Sequence, residues 1–222
     1  MKKAVIFVVI LITICTGCSV KKVEELTDAE KFANEFNVSD DNPFEYVTLN
    51  QLFQLFESGR NVIFLADSDY EGSSKAAKIL LEVAKQEKQE KIYYYNPKRI
   101  QEKYPKKYKK LIGILKDYLE NTDKDEGNTS DDSENSADIL TDENSQNDTN
   151  DEEDLEKKEN LDNYILNLPD VYSVVDGKIV NHSNYFSRQE ELSEEFLTKK
   201  VKTKIKNKYR DILQFKECTD CQ

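Results

Sequence analysis

Leu168-Pro169-Asp170-Val171-Tyr172-Ser173-Val174-Val175-Asp176-Gly177-Lys178-Ile179-Val180 sets two runs rich in β-branched residues on either side of an Asp-Gly pair. A two-residue hairpin turn needs positive φ at its centre, which Asp and Gly tolerate, so the stretch predicts strands at 171–175 and 178–182. Upstream, Asn61-Val62-Ile63-Phe64-Leu65-Ala66 is a continuous apolar run, the pattern of a strand covered on both faces. Such a strand needs helices on either side of its sheet, and the flanking sequence offers them. Beyond the polar loop Asp67–Gly72, residues Ala76, Ile79, Leu80, Val83 and Ala84 recur at helical spacing.

Further out, Lys91 to Tyr95 reads as a strand closed by Asn96-Pro97. Its rings Tyr93, Tyr94 and Tyr95 must face alternate sides and are expected to pack on helices. Tyr108, Leu111, Ile112, Leu115, Tyr118 and Leu119 outline a helix. Phe44–Val47 predicts a short strand, and Thr48-Leu49-Asn50-Gln51 is a capping box that starts a helix at Leu49, with Gly59 as its stop. Asp28–Phe36 is a short helix capped by Thr27 or Asp28. After the hairpin, Ser187-Arg188-Gln189-Glu190 predicts a helix carrying Leu192, Phe196 and Leu197. A further helical stretch holds Val201, Ile205, Tyr209, Ile212 and Leu213.

A chain of 222 residues with 37% hydrophobic and 34% charged residues looks polar for one packed domain, but the excess is local. Residues 121–160 hold 16 Asp and Glu against three Lys, a net of −13 beside −12 for the whole chain. That segment buries too little to offset its ordering entropy and is expected to be a disordered acidic insert. The remainder is near neutral, without the basic footprint of nucleic-acid binding.

Met1-Lys2-Lys3 followed by the apolar run Ala4–Ile14 has the form of a signal-peptide leader, too short for a membrane span of ~20 residues. The run ends in Cys15-Thr16-Gly17-Cys18-Ser19, which resembles the bacterial lipobox, with Cys15 where Leu is usual. The resemblance implies cleavage after Gly17, a lipid anchor on Cys18 and an extracytoplasmic place at the membrane surface. On this reading residues 1–17 are the leader and 18–43 a tether with a short helix. The folded domain spans 44–120 and 161–215, and 216–222 is a cysteine-bearing tail.

The element order, strand and helix three times, then a hairpin and a final helix, resembles the thioredoxin fold over residues 44 to 213 with the insert excised. That fold is a three-layer α/β/α sandwich around a mixed sheet. The stretch 64–72 is similar to the family's strand-to-helix passage, and 168–180 to its proline strand and hairpin. The resemblance implies that Pro169 is cis and lies beside the 67–72 loop. It also places Asp69 and Gly72 where the family carries Cys-x-x-Cys. Neither residue supplies a thiolate, so dithiol exchange at that corner is lost.

Other chemistry-bearing residues are few. Cys218 and Cys221 form a Cys-x-x-Cys, but Glu217 and Asp220 flank it and no helix N-terminus follows to lower a thiol pKa. It reads as a local disulfide, the alternative being a redox pair. Asp67, Asp69 and Glu71 before Gly72 imitate half of a calcium loop, whose twelfth position is Lys78 and not the required Glu. Those carboxylates otherwise sit at a helix start, where the dipole favours them, with Ser73 or Ser74 as the cap. His182, the sole histidine, reads as a surface residue and cannot complete a four-ligand zinc site. No phosphate loop or nucleophile elbow occurs, and no cofactor is expected. The sequence therefore points to a lipid-anchored binding or accessory module that takes a protein or peptide ligand. An oxidoreductase acting through Cys218 and Cys221 is the alternative.

Overall fold

Thr27 and Thr48 fix where the first two helices among the described residues begin. Each hydroxyl accepts the backbone N–H three residues on, while Glu30 or Gln51 reaches back to the threonine's own N–H. Both capping boxes thus satisfy N–H groups that a helix start leaves open. The computed structural model describes residues 25–98, 100–121, 160–187, 193 and 196–217. Helix α1 (Asp28–Phe36) ends at left-handed Asn37, and β1 (Phe44–Tyr46) and α2 (Leu49–Glu57) follow. Next come β2 (Arg60–Leu65), the long α3 (Glu71–Glu87), β3 (Ile92–Tyr95), a one-turn α4 (Ile100–Lys103) and α5 (Pro105–Leu115).

A 3-10 turn at Lys116–Tyr118 ends this half, so the last part of the helix expected to reach Leu119 is wound more tightly. Two-residue strands β4 (Glu120–Asn121) and β5 (Tyr164–Ile165) then pair antiparallel, Glu120 with Ile165 and Asn121 with Tyr164. They hold the two ends of the acidic insert side by side; the insert lies outside the described residues. The hairpin of β6 (Asp170–Val175) and β7 (Lys178–Ser183) turns on Asp176 and Gly177, at φ 46° and 85°. A side chain at Gly177 would press its Cβ to 3.2 Å from the Glu57 carbonyl oxygen, so strain and space both require glycine there. Helix α6 (Lys199–Leu213) closes the chain, capped by Thr198. Phe196 and Leu197 lie in a turn before that cap and not in a helix of their own. The rest of that expected helix, including Leu192, is outside the described residues.

The fold is mixed α/β: a five-stranded sheet in the order β1-β3-β2-β6-β7, with six α-helices among the described residues. β1, β3 and β2 run parallel, and β6 and β7 are antiparallel to their neighbours. One face of the sheet packs Val62, Phe64 and Val171 against α1, α3 and α6. The other packs Ile63, Leu65, Tyr172 and Val174 against α2, α4 and α5. Every residue of β2 after Arg60 is buried, as its unbroken apolar run requires. The first core is dense in rings: Phe32 stacks on Phe44 at 3.7 Å, and Phe36, Phe64 and Tyr94 pack around them. Each such side chain contributes about 1.5–3 kcal/mol by leaving water.

The β6–β7 ladder is irregular. Val174 pairs with Ile179, but Ser173 pairs with Asn181, so Val180 is an extra residue with no cross-strand partner. A bulge of this kind shifts every later residue of β7 by one and exchanges the faces its side chains meet.

Candidate functional site

β2 and β6 are antiparallel, and their register ends with Leu65 opposite Asp170. The residues after Leu65 and those before Asp170 therefore leave the sheet from the same end of adjacent strands. Between them lies a cleft of about 300 Å³ lined by Asp67, Tyr70, Leu166, Asn167, Leu168 and Ser187. Pro169, next in sequence after the lining residue Leu168, is buried, and the Leu168–Pro169 peptide bond is cis. The Tyr70 hydroxyl donates to the Ser187 carbonyl at 3.4 Å and so bridges the cleft. The buried Asn167 Nδ2 has no hydrogen-bond partner among the described residues.

The loop itself is stiffened from within. Asp67 Oδ1 accepts the Asp69 N–H at 3.0 Å, and the Asp67 carbonyl accepts the Tyr70 N–H at 3.1 Å. Helix α3 then starts after Tyr70, which makes no side-chain cap. Ser73, one of the two serines expected to cap it, is inside the first turn, and its buried hydroxyl has no partner among the described residues. Asp69 stays exposed in the loop, whereas Gly72 is buried in the first turn of α3.

The three carboxylates of the half calcium loop do not converge. Lys98 binds both Asp69 and Asp67, the latter at 3.4 Å, so an ammonium stands where a cation would. The hydrogen bond to Asp69 is the main cause that raises the Lys98 pKa. Glu71 turns instead onto Lys75 at 2.9 Å. Among the described residues no group of three His, Cys, Asp or Glu side chains could hold a metal. Cys18, Cys218 and Cys221 lie outside the described residues.

His182 is not a surface residue. Its side chain is 14% exposed, and its Nδ1 lies 3.2 Å from Oδ2 and 3.4 Å from Oδ1 of Asp170, which is fully buried. Asp170 Oδ1 also accepts the Ser183 N–H at 3.1 Å. The imidazole stacks on Tyr172 at 5.7 Å and meets Tyr118 edge-on at 5.1 Å. Burial, and then the Asp170 carboxylate, push the Tyr172 phenol well above its ordinary value. Counting outward from the Asp-Gly turn places His182 opposite Val171, on the other face of the hairpin. The extra residue Val180 brings it opposite Tyr172 instead, and nothing in the local sequence announces that bulge.

Comparison of the chain with protein-family models, with curated proteins and with solved structures gives no match in any of the three. Among the described residues no helix is long and apolar enough to cross a membrane.

Proposed function

We propose that the chain is a lipid-anchored, extracytoplasmic lipoprotein whose α/β domain is a redox-inactive, thioredoxin-like binding or accessory module. The observation that carries the reading is the pairing of the hairpin with β2, which brings the loop before α3 and the segment before Pro169 to one rim. A thioredoxin-like domain works at that corner, and here it holds Asp69 and Gly72 in place of sulfur. With no thiol there, the corner retains recognition: an apolar wall of Leu166 and Leu168, the Tyr70 ring and backbone polar groups at a strand end. Such a surface suits an extended peptide, held by main-chain hydrogen bonds and side-chain pockets.

The test is a titration of the isotope-labelled domain with a library of unstructured peptides, read by NMR. Resonances of Asp67, Tyr70 and Asn167–Leu168 should move together. Tyr70→Ala and Leu168→Asp should each weaken binding about tenfold, a loss of about 1.4 kcal/mol. Peptides that move only resonances elsewhere, or that bind both variants as well as the parent, would remove the groove as the binding surface. A thiol–disulfide exchange rate that disappears in Cys218→Ser would favour the oxidoreductase instead.

A further inference from the structure

A second cavity, of about 540 Å³, opens at the edge strand β7 and shares no lining residue with the groove. His182 forms part of its floor with Tyr118 and Ile205. One wall is the segment Asp117–Glu120, the other is the face of α6 that carries Lys204 and Lys208, one turn apart. Two exposed residues of the lining are opposite in charge, Asp117 on the first wall and Lys204 on the second.

The imidazole is built to a purpose beyond packing. In the neutral ring, a contact between Nδ1 and a carboxylate, which accepts when ionised, favours the tautomer with its proton on Nδ1. Nε2 then carries a lone pair, and among the described residues it has no hydrogen-bond partner. Asp170 is fully buried and already holds the Ser183 N–H, so it is fixed, and it fixes the ring. Stacking on Tyr172 removes the remaining rotational freedom. The whole arrangement depends on the bulge at Val180, and bulges are a recurring means of re-aiming a side chain beside a site. A histidine oriented by a buried carboxylate and lining a cavity offers its second nitrogen as an acceptor for a ligand's donor.

We propose that this cavity binds a small zwitterion, an amino acid or dipeptide, with its ammonium between His182 Nε2 and Asp117 and its carboxylate on Lys204. The volume suits a ligand of that size, and a lining that carries both signs of charge favours a ligand that does the same. The proposal does not rest on the peptide-groove reading, since either surface could fail without the other.

Because the chain has one histidine, a single imidazole gives an unambiguous NMR probe. In the free protein the ¹⁵N pattern should show Nδ1 as the protonated nitrogen of the neutral ring. Titration with free amino acids and with alanyl-alanine should shift the His182 resonances. N-acetyl-alanyl-alanine and alanyl-alanine amide, each lacking one charge, should bind at least tenfold more weakly. Lys204→Glu and Asp117→Lys lie at the surface and leave the core intact. Each should weaken the dipeptide at least tenfold, and the first should hurt the amide less than the free acid. An unmoved His182 signal with every probe at millimolar concentration overturns the proposal. So does equal binding of the blocked dipeptides, or a neutral ring protonated on Nε2.

Discussion

Asp170 is an acidic side chain fully buried among hydrophobic strands, and it is tolerated because two groups face it, the Ser183 N–H and the His182 ring. Removing it strands both. Asp170→Ala should cost about 2–6 kcal/mol, read from urea denaturation, since each buried donor left without a partner costs about 1–3 kcal/mol. A loss below about 0.5 kcal/mol would mean that water replaces the carboxylate. The tyrosines make a separate claim. Burial raises the phenols of Tyr94, Tyr172 and Tyr209, and burial together with Glu35 raises that of Tyr46. Unfolded, they ionise near pH 10; folded, they keep their protons. Above pH ~10 the unfolded state therefore binds fewer protons, and stability falls as pH rises. Below that pH both states are protonated, and these groups add no pH dependence. The urea midpoint should stay flat with respect to the phenols up to about pH 9.5 and drop beyond. Tyrosinate absorbance should arrive together with unfolding, and a gradual rise in the folded protein would contradict the burial. The corner residues can be tested by restoration. With Cys218 and Cys221 changed to Ser, the Asp69→Cys/Gly72→Cys variant should oxidise to an internal disulfide, seen as a loss of two mass units. Two thiols that stay free in oxidant would show that these positions do not face one another.

At the scale of elements, what could be read from sequence was what local physics decides. The capping box at Thr48 marks its helix within a few residues, as Thr27 or Asp28 does for the helix before it, and the apolar run of β2 and the Asp-Gly turn mark adjoining strands of the sheet. The fully buried Phe64 in β2 follows from that run. Phe64→Ala should cost about 3–5 kcal/mol by calorimetry, because Phe36, Phe44 and Tyr94 cannot collapse together into the space. What stayed hidden was decided by partners far along the chain. β4 and β5 have two residues each and no pattern, and they pair across more than forty positions. The His182 site depends on one extra residue in β7, whose effect on register appears only when the strands are laid together. The groove lies between the two, since Asp67–Gly72 and Pro169 were both singled out and their juxtaposition came from the resemblance alone.

At the scale of the molecule, the domain's two cores lie on either side of one sheet, and the segment from 122 to 159 connects positions already fastened together by β4 and β5. Replacing 122–159 by a short Gly-Ser linker should move the melting temperature by no more than a few degrees, since closure entropy changes only logarithmically with loop length. A fall of ten degrees or more would show that the segment supports the core. The proposed anchor has an equally direct check. Cys18→Ala should release the protein from the membrane fraction into the soluble one, and continued sedimentation with membranes would exclude lipid attachment at that residue.

The β4–β5 clasp has a consequence of its own. Antiparallel neighbours hold their backbones about 5 Å apart whatever connects them, so the chain can be opened between Asn121 and Asn160 without the rest of the fold registering the length or composition of what is inserted. In-frame expansions and contractions of the gene should be accepted there. A foreign domain whose own termini lie close together, such as a fluorescent reporter, should be carried at that port with the sheet undisturbed.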